Sequence, residues 1–174
     1  MESVLVSACL LGEAVRYNGG HMGCDDDILQ RWLREGRVIS VCPEVAGGLP
    51  VPRPRAEIAN GADGMQVLAG NARVINSNGC DVTPYLVCGA EHALQRARAK
   101  QIRIAVLKEG SPSCGTGHIF DGSFTDARVP NRGVTATLLQ QAGIQVFSEA
   151  QLAEADALLK QFEAGVQPEQ ESPC

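Results

Sequence analysis

Apolar residues fall into two rhythms along the chain. Short, nearly continuous β-branched runs at 3–8 (SVLVSA), 37–41 (RVISV), 102–107 (IRIAVL) and 144–147 (IQVF) predict four strands buried on both faces. Between them the apolar positions recur with a helical period. Asp25 or Asp26 caps a predicted helix whose apolar face is Ile28, Leu29, Trp32 and Leu33, with Gly36 as its stop. Thr83, with Pro84 in the first turn, opens a second helix reaching about Lys100 along Leu86, Ala90, Ala93, Leu94 and Ala97. A third spans 135–142 and is stopped by Gly143. Ser148, with Gln151 three residues later, has the spacing of a capping box ahead of a last helix along Leu152, Leu158, Leu159 and Phe162. Strands alternating with helices predict an α/β chain: a single-domain, Rossmann-like, mostly parallel sheet flanked by helices. That domain is expected over 1–164, with 165–174 as a flexible Pro/Glu/Gln/Ser-rich tail.

Three stretches fit neither rhythm. The loop 13–24 is glycine-rich and carries Arg16, Tyr17, Asn18 and His21. In 43–64, Pro43, Pro50, Pro52 and Pro54 with Gly47 and Gly48 predict a structured connection without a regular helix, and 65–78 reads as a hairpin or two minor strands. The segment 108–132 is a long Gly/Ser/Pro loop, a length that in a compact domain usually serves function.

Charge and composition narrow the classes of function. A formal net charge of -5 argues against a binder of nucleic-acid backbone, which would show a basic stripe. No apolar run reaches transmembrane length, so no membrane span is expected. The first residues go straight into a strand without a charged leader, so a cytoplasmic, reducing setting is expected. Seven cysteines in that setting suggest ligands or catalysis before disulfides.

Three of those cysteines are tied to strand ends. Cys9 and Cys42 directly follow the first two runs, and Cys114 lies several residues past the third. The carboxyl ends of parallel strands share one edge, so these residues are expected to converge there. Three thiols without a fourth suit a metal or cluster site with one open position; on spacing alone a 4Fe–4S cluster, a zinc ion and plain buried thiols all remain. His21, His92 and His118 are not at close metal-motif spacing with them, and Cys88 and His92, four apart on one helix, are a weaker pair. Glu44, two residues after Cys42, is a proton-exchanging group or a solvated loop carboxylate. Ser113, just before Cys114, positions a water or serves the turn. Gly115 and Gly117 would free backbone N–H groups to face sulfide or an anion. His21, Arg53 and Glu57 are candidate pocket residues, unless Arg53 and Glu57 pair on the surface.

The blocks VSACLLGEAVRYNGGH, VCPEVAGGLPVPRPRAE, LKEGSPSCGTGHIFDGSF and GVTATLLQQAGIQVFSE agree in order and spacing with one family. From about Ser3 to Leu152 the chain resembles a bacterial family long filed as a domain of unknown function, whose studied members are thiouracil desulfidases. The resemblance implies an oxygen-sensitive 4Fe–4S cluster held by Cys9, Cys42 and Cys114, with one iron not ligated by protein. It implies that the sulfur of a small thiolated pyrimidine such as 2-thiouracil meets that iron. Water then attacks the carbon, and uracil and hydrogen sulfide leave without net electron transfer. Glu44 falls where the family has its catalytic acid/base and Ser113 where it has a catalytic serine. Cys24, Cys80 and Cys88 have no counterpart in the motif, and Cys174 lies in the expected tail. The resemblance leaves two rivals open: a cluster-dependent sulfur transferase or dehydratase, and a non-enzymatic cluster- or zinc-binding redox or sulfur-trafficking protein. The latter would need neither Glu44 nor Ser113. A thiolated tRNA would want a basic rim, so no nucleic-acid partner is expected, and the chain is expected to be a monomer or weak homodimer.

Overall fold

The central sheet follows from the alternation within its strands. β1 (Val4–Ser7), β2 (Val38–Val41), β5 (Ile104–Leu107) and β8 (Gln145–Ser148) pair in the order β2-β1-β5-β8, all parallel. The computed structural model describes residues 1–21 and 23–165; the expected tail beyond Gly165, with Cys174, lies outside the described residues. Leu5, Ala105 and Leu107 face one layer, against Ala93, Leu94 and Ala97 of α4 (Thr83–Ala99) and Ala136 and Leu139 of α5 (Val134–Gln141). Val4, Val6, Ile104 and Val106 face the other, against Leu29 and Trp32 of α1 (Asp27–Arg34) and Leu152, Ala155 and Leu159 of α6 (Leu152–Glu163). The period-two alternation thus builds a helix layer on each face.

Local signals act where the sequence puts them. Asp26 caps α1, accepting from Ile28 N at 2.8 Å. Ser148 and Gln151 form their capping box ahead of a 3₁₀ turn (Glu149–Gln151) and α6. Leu33, expected on the buried face of α1, is instead 40% exposed, because Leu29 and Trp32 fill the contact with α6.

The irregular stretches hold more regular structure than expected. Pro43 occupies the first turn of a short helix, α2 (Pro43–Ala46), a position where its missing N–H costs nothing. Residues 65–68, expected in a strand, belong to helix α3 (Gly64–Leu68), started by a reciprocal Asp63–Gln66 capping box. The partner of β4 (Val74–Asn76) is β3 (Ala56–Ile58), antiparallel and earlier in the chain. A second small pair, β6 (Ile119–Phe120) with β7 (Arg128–Val129), interrupts the long loop.

One buried carboxylate ties the α1–α6 layer together and gives a stability prediction. Asp156, 5% exposed, accepts from Trp32 Nε1 at 3.0 Å and pairs with Arg31 and with Lys160 at 2.8 Å. Burial alone would raise its pKa, but these partners outweigh it and hold the carboxyl down at about 2. The folded pKa lies below the ordinary value of 3.8, so the stabilisation is present above about pH 4 and fades as pH falls from there towards 2. Because Arg31 and Lys160 are partly solvated, it amounts to about 1 kcal/mol. Asp156→Asn is expected to lower stability at pH 7 by that order and to flatten the pH dependence below pH 4. Urea titrations followed by the fluorescence of Trp32, the sole tryptophan, check this directly.

Candidate active site

The site sits where the strand order reverses. The chain leaves β1 towards β2 and later returns on the other side as β5, so the crevice opens between the carboxyl ends of β1 and β5. Ser7, Val41, Lys108 and Ser148, from the ends of all four strands, line a cavity of about 520 Å³. That is within the usual size range for a small-molecule site. Val15, Arg16 and Tyr17 of the first loop, Arg53, Arg55 and Ala56 before and in β3, and Phe120 and Arg128 of the β6–β7 pair complete the walls.

All three expected cysteines line this cavity. Cys9 is half-buried on the 3₁₀ turn Ala8–Leu11 that follows β1, and Cys42 is the residue before α2. Cys114, on the loop after β5, is buried. That loop is fixed from behind by α5, whose leading amides satisfy its carbonyls: Gly133 N to Gly115 O, Val134 N to Pro112 O, and Thr135 N and Ala136 N to Ser113 O. A β-carbon on Gly133 would lie 2.6 Å from Pro112 O, so only glycine admits this approach.

None of the three thiols is free to ionise unaided. Burial, then the neighbouring Cys42, pushes the Cys9 thiol up to about 11. Cys114 is raised further, first by burial and then by Cys9 and Cys42, and burial likewise raises Cys42. Mutually opposed thiolates in one pocket are stabilised by a bound polycation that neutralises them together. Among the described residues, no three His, Cys, Asp or Glu side chains close on one point as a mononuclear metal ion requires. A cuboidal cluster presents its irons at separate corners, so ligands ringing a volume suit it. Three thiols lining one cavity are the donor type that iron–sulfur clusters take.

Glu44 lies in the cavity wall with its side chain 14% exposed. Arg53 Nε stands 3.5 Å from Glu44 Oε1, and the guanidinium is fixed by bonds to Val15 O at 3.0 Å and Pro50 O at 3.1 Å. Burial raises the Glu44 pKa, and Arg53 pulls it part of the way back. The solvated-loop alternative for this carboxylate is set aside. Arg53 pairs with Glu44 rather than Glu57. Glu57, 2% exposed, pairs instead with Arg55 at 2.9 Å and accepts from Gly122 N and Phe124 N, bracing the β6–β7 connection. His21 is exposed, accepts from Gly23 N and is not part of the wall.

Two expectations for the Cys114 loop need correction. Ser113 is 0% exposed, its hydroxyl lies buried without a hydrogen-bond partner among the described residues, and it does not line the cavity. Ser111 does, and its Oγ accepts from Cys114 N at 2.7 Å. The amides of Gly115 and Gly117 are not free either. Gly115 N donates to Ser111 O, while Glu109 takes the N–H groups of Thr116, Gly117 and His118. Burial alone would raise the Glu109 pKa; these bonds together hold it below the ordinary value. A carboxylate seven residues upstream was the signal for this nest, legible only once the loop folds back. Lys108 and Glu149, whose Nζ and Oε1 are 2.5 Å apart, form a further wall pair that strand-end position alone pointed to. Cys80 and Cys88 are exposed, and Cys24 is half-buried against the α1–α6 layer.

The model of the 2-thiouracil desulfurase family matches residues 4–151. The chain belongs to that family. A solved structure of the [4Fe-4S]-dependent thiouracil desulfidase TudS superposes with a TM-score of 0.83 at 46% identity, covering 92% of this chain and 99% of that one. The Bacillus subtilis (strain 168) protein YbbK, itself uncharacterized, is 41% identical over 149 residues, 86% of this chain and 97% of its own length. The family match takes in all three cysteines, Glu44 and the serine pair.

Proposed function

We propose that the cavity is the active site of an iron–sulfur-dependent, non-redox thiouracil desulfidase, with Cys9, Cys42 and Cys114 holding a 4Fe–4S cluster. The observation that carries this reading is one cavity shared by three mutually opposed thiols and a buried carboxyl braced by arginine. When bound, a cluster with three protein ligands supplies a Lewis-acidic iron with an affinity for sulfur.

The remaining work falls to the chain. The substrate is a small thiolated pyrimidine, and Phe120, over which Arg55 stacks at 4.5 Å, offers its ring a flat wall. Glu44 holds and gives the proton: Arg53 faces Oε1, leaving Oε2 to take a proton from the attacking water and return it to the departing group. Ser111, with its oxygen fixed by Cys114 N, keeps its own proton for substrate or water. The hydroxyl role expected of Ser113 passes to Ser111, because only Ser111 reaches the cavity. The two rivals lack a comparable warrant: a sensor has no use for Glu44 and Ser111 in the wall, and a transferase would require an acceptor.

Anaerobic reconstitution followed by iron, acid-labile sulfide and hydrogen sulfide measurements with 2-thiouracil tests the reading. About four irons per chain with sulfide released and uracil formed is the expected result. Stoichiometric zinc in place of iron, or a loaded protein that releases no sulfide, overturns it. In the same assay Ser111→Ala is expected to lose more turnover than Ser113→Ala.

A further inference from the structure

Ser7 is the last residue of β1, 2% exposed, and neither the family motif nor the reaction gives it a task. Its hydroxyl accepts from Lys108 N at 2.9 Å. Lys108 is the first residue past β5, so the parallel pairing of the two strands sets the direction of that amide. A serine hydroxyl has one proton to give, and here it points to Cys114 Sγ at 3.5 Å. The sulfur is held just as firmly, because Ser111 fixes the Cys114 amide and α5 fixes the carbonyls on either side. No side chain among the described residues donates to either of the other two cysteines: Cys42 Sγ faces the Val15 carbonyl at 3.9 Å and takes backbone N–H groups of Val45 and Glu44.

We propose that Ser7 is a positioning residue whose hydroxyl, oriented by the Lys108 amide, hydrogen-bonds the Cys114 ligand sulfur and so sets the electron density that this sulfur gives the cluster. The inference rests on the cluster reading above. A hydrogen bond to a ligating sulfur stabilises negative charge there and favours the reduced cluster, raising its reduction potential. The same bond weakens donation to iron and leaves the iron more electrophilic. Because Ser7 and Lys108 bridge the two strands flanking the crevice, the sheet itself enforces this side-chain contact at Cys114.

The test uses the reconstituted full chain. Ser7→Ala is expected to move the cluster's midpoint potential to a more negative value. Ser7→Thr and Ser7→Val form an isosteric pair with the same added methyl group. Thr is expected to stay near wild type in potential and Val to follow Ala, so any cost of overpacking cancels between them. Resonance Raman spectra should show an iron–thiolate stretch that shifts in D2O in wild type and Thr but loses part of that shift in Ala and Val. Equal potentials and equal D2O shifts across the four proteins would overturn the role of Ser7 while leaving the cluster reading intact. A wild-type protein that binds no iron overturns both.

Discussion

Glu44→Gln is expected to cut sulfide release by about two to four orders of magnitude while leaving the iron content unchanged. Glutamine keeps the size and the carbonyl-type oxygen that faces Arg53, so Arg53 retains a partner and its bonds to Val15 O and Pro50 O. What it loses is the ability to take and return a proton. Both substitutions remove the counter-charge of Arg53, 4% exposed, but Glu44→Ala is a worse probe, because it also leaves the guanidinium without the oxygen that faces it. Glu44→Asp keeps the acid but withdraws it by one methylene, and should fall between wild type and Glu44→Gln. Iron and activity have to be measured on the same preparation. If Glu44→Gln loses iron in proportion to activity, the carboxyl supports Cys42 instead of moving protons; if turnover is unchanged, the acid/base assignment fails.

Much of this site was legible in the sequence because strand ends are. The β-branched runs marked the four strands, parallel pairing placed their carboxyl ends on one edge, and Cys9 and Cys42 followed directly. Glu44 was found through its distance from Cys42. What the sequence did not disclose depended on the path of loops. Ser111 and Ser113 are two residues apart, and only the turn that carries Cys114 N back onto Ser111 Oγ decides which one faces the cavity. Arg53 could be matched to Glu57 or Glu44 by charge alone; β3 turns Glu57 inward beneath Gly122 and leaves Arg53 at the cavity. The helices α2 and α3 escape the sequence pattern for different reasons. Prolines suggest irregularity where Pro43 needs only a first-turn position, and the Asp63–Gln66 box stands beside an apolar run too short to show a period. Helices of four and five residues carry too few positions for a period to emerge.

Gly89→Ala is expected to disable the site from a position that touches none of its chemistry. Gly89 lies in α4, where the backbones of α4 and α2 meet: a β-carbon there would stand 1.9 Å from Pro43 O, and one on Gly47 would stand 2.0 Å from Tyr85 O. Real β-carbons essentially never come within 3.0 Å of a neighbour, and the atoms struck are backbone, with no rotamer to give way. Alanine gains about 1 kcal/mol of helix propensity. Overpacking against fixed backbone costs about 1–3 kcal/mol. Propensity offsets only part of the overpacking, leaving a net loss of up to about 2 kcal/mol, so the variant should fold with reduced stability. Function does not share that compensation. To admit the methyl group α2 must move away from α4, and α2 starts at Pro43, between Cys42 and Glu44. A shift of about 1 Å at reacting groups costs on the order of a hundredfold in rate, and it also moves a ligand. Gly89→Ala should therefore take up less iron on reconstitution and turn over at least about a hundredfold more slowly. Cys88→Ala, one residue earlier and exposed on the same helix, should match wild type in both. If Gly89→Ala loads and turns over like wild type, the close contact between α2 and α4 does not hold Cys42 and Glu44 in place.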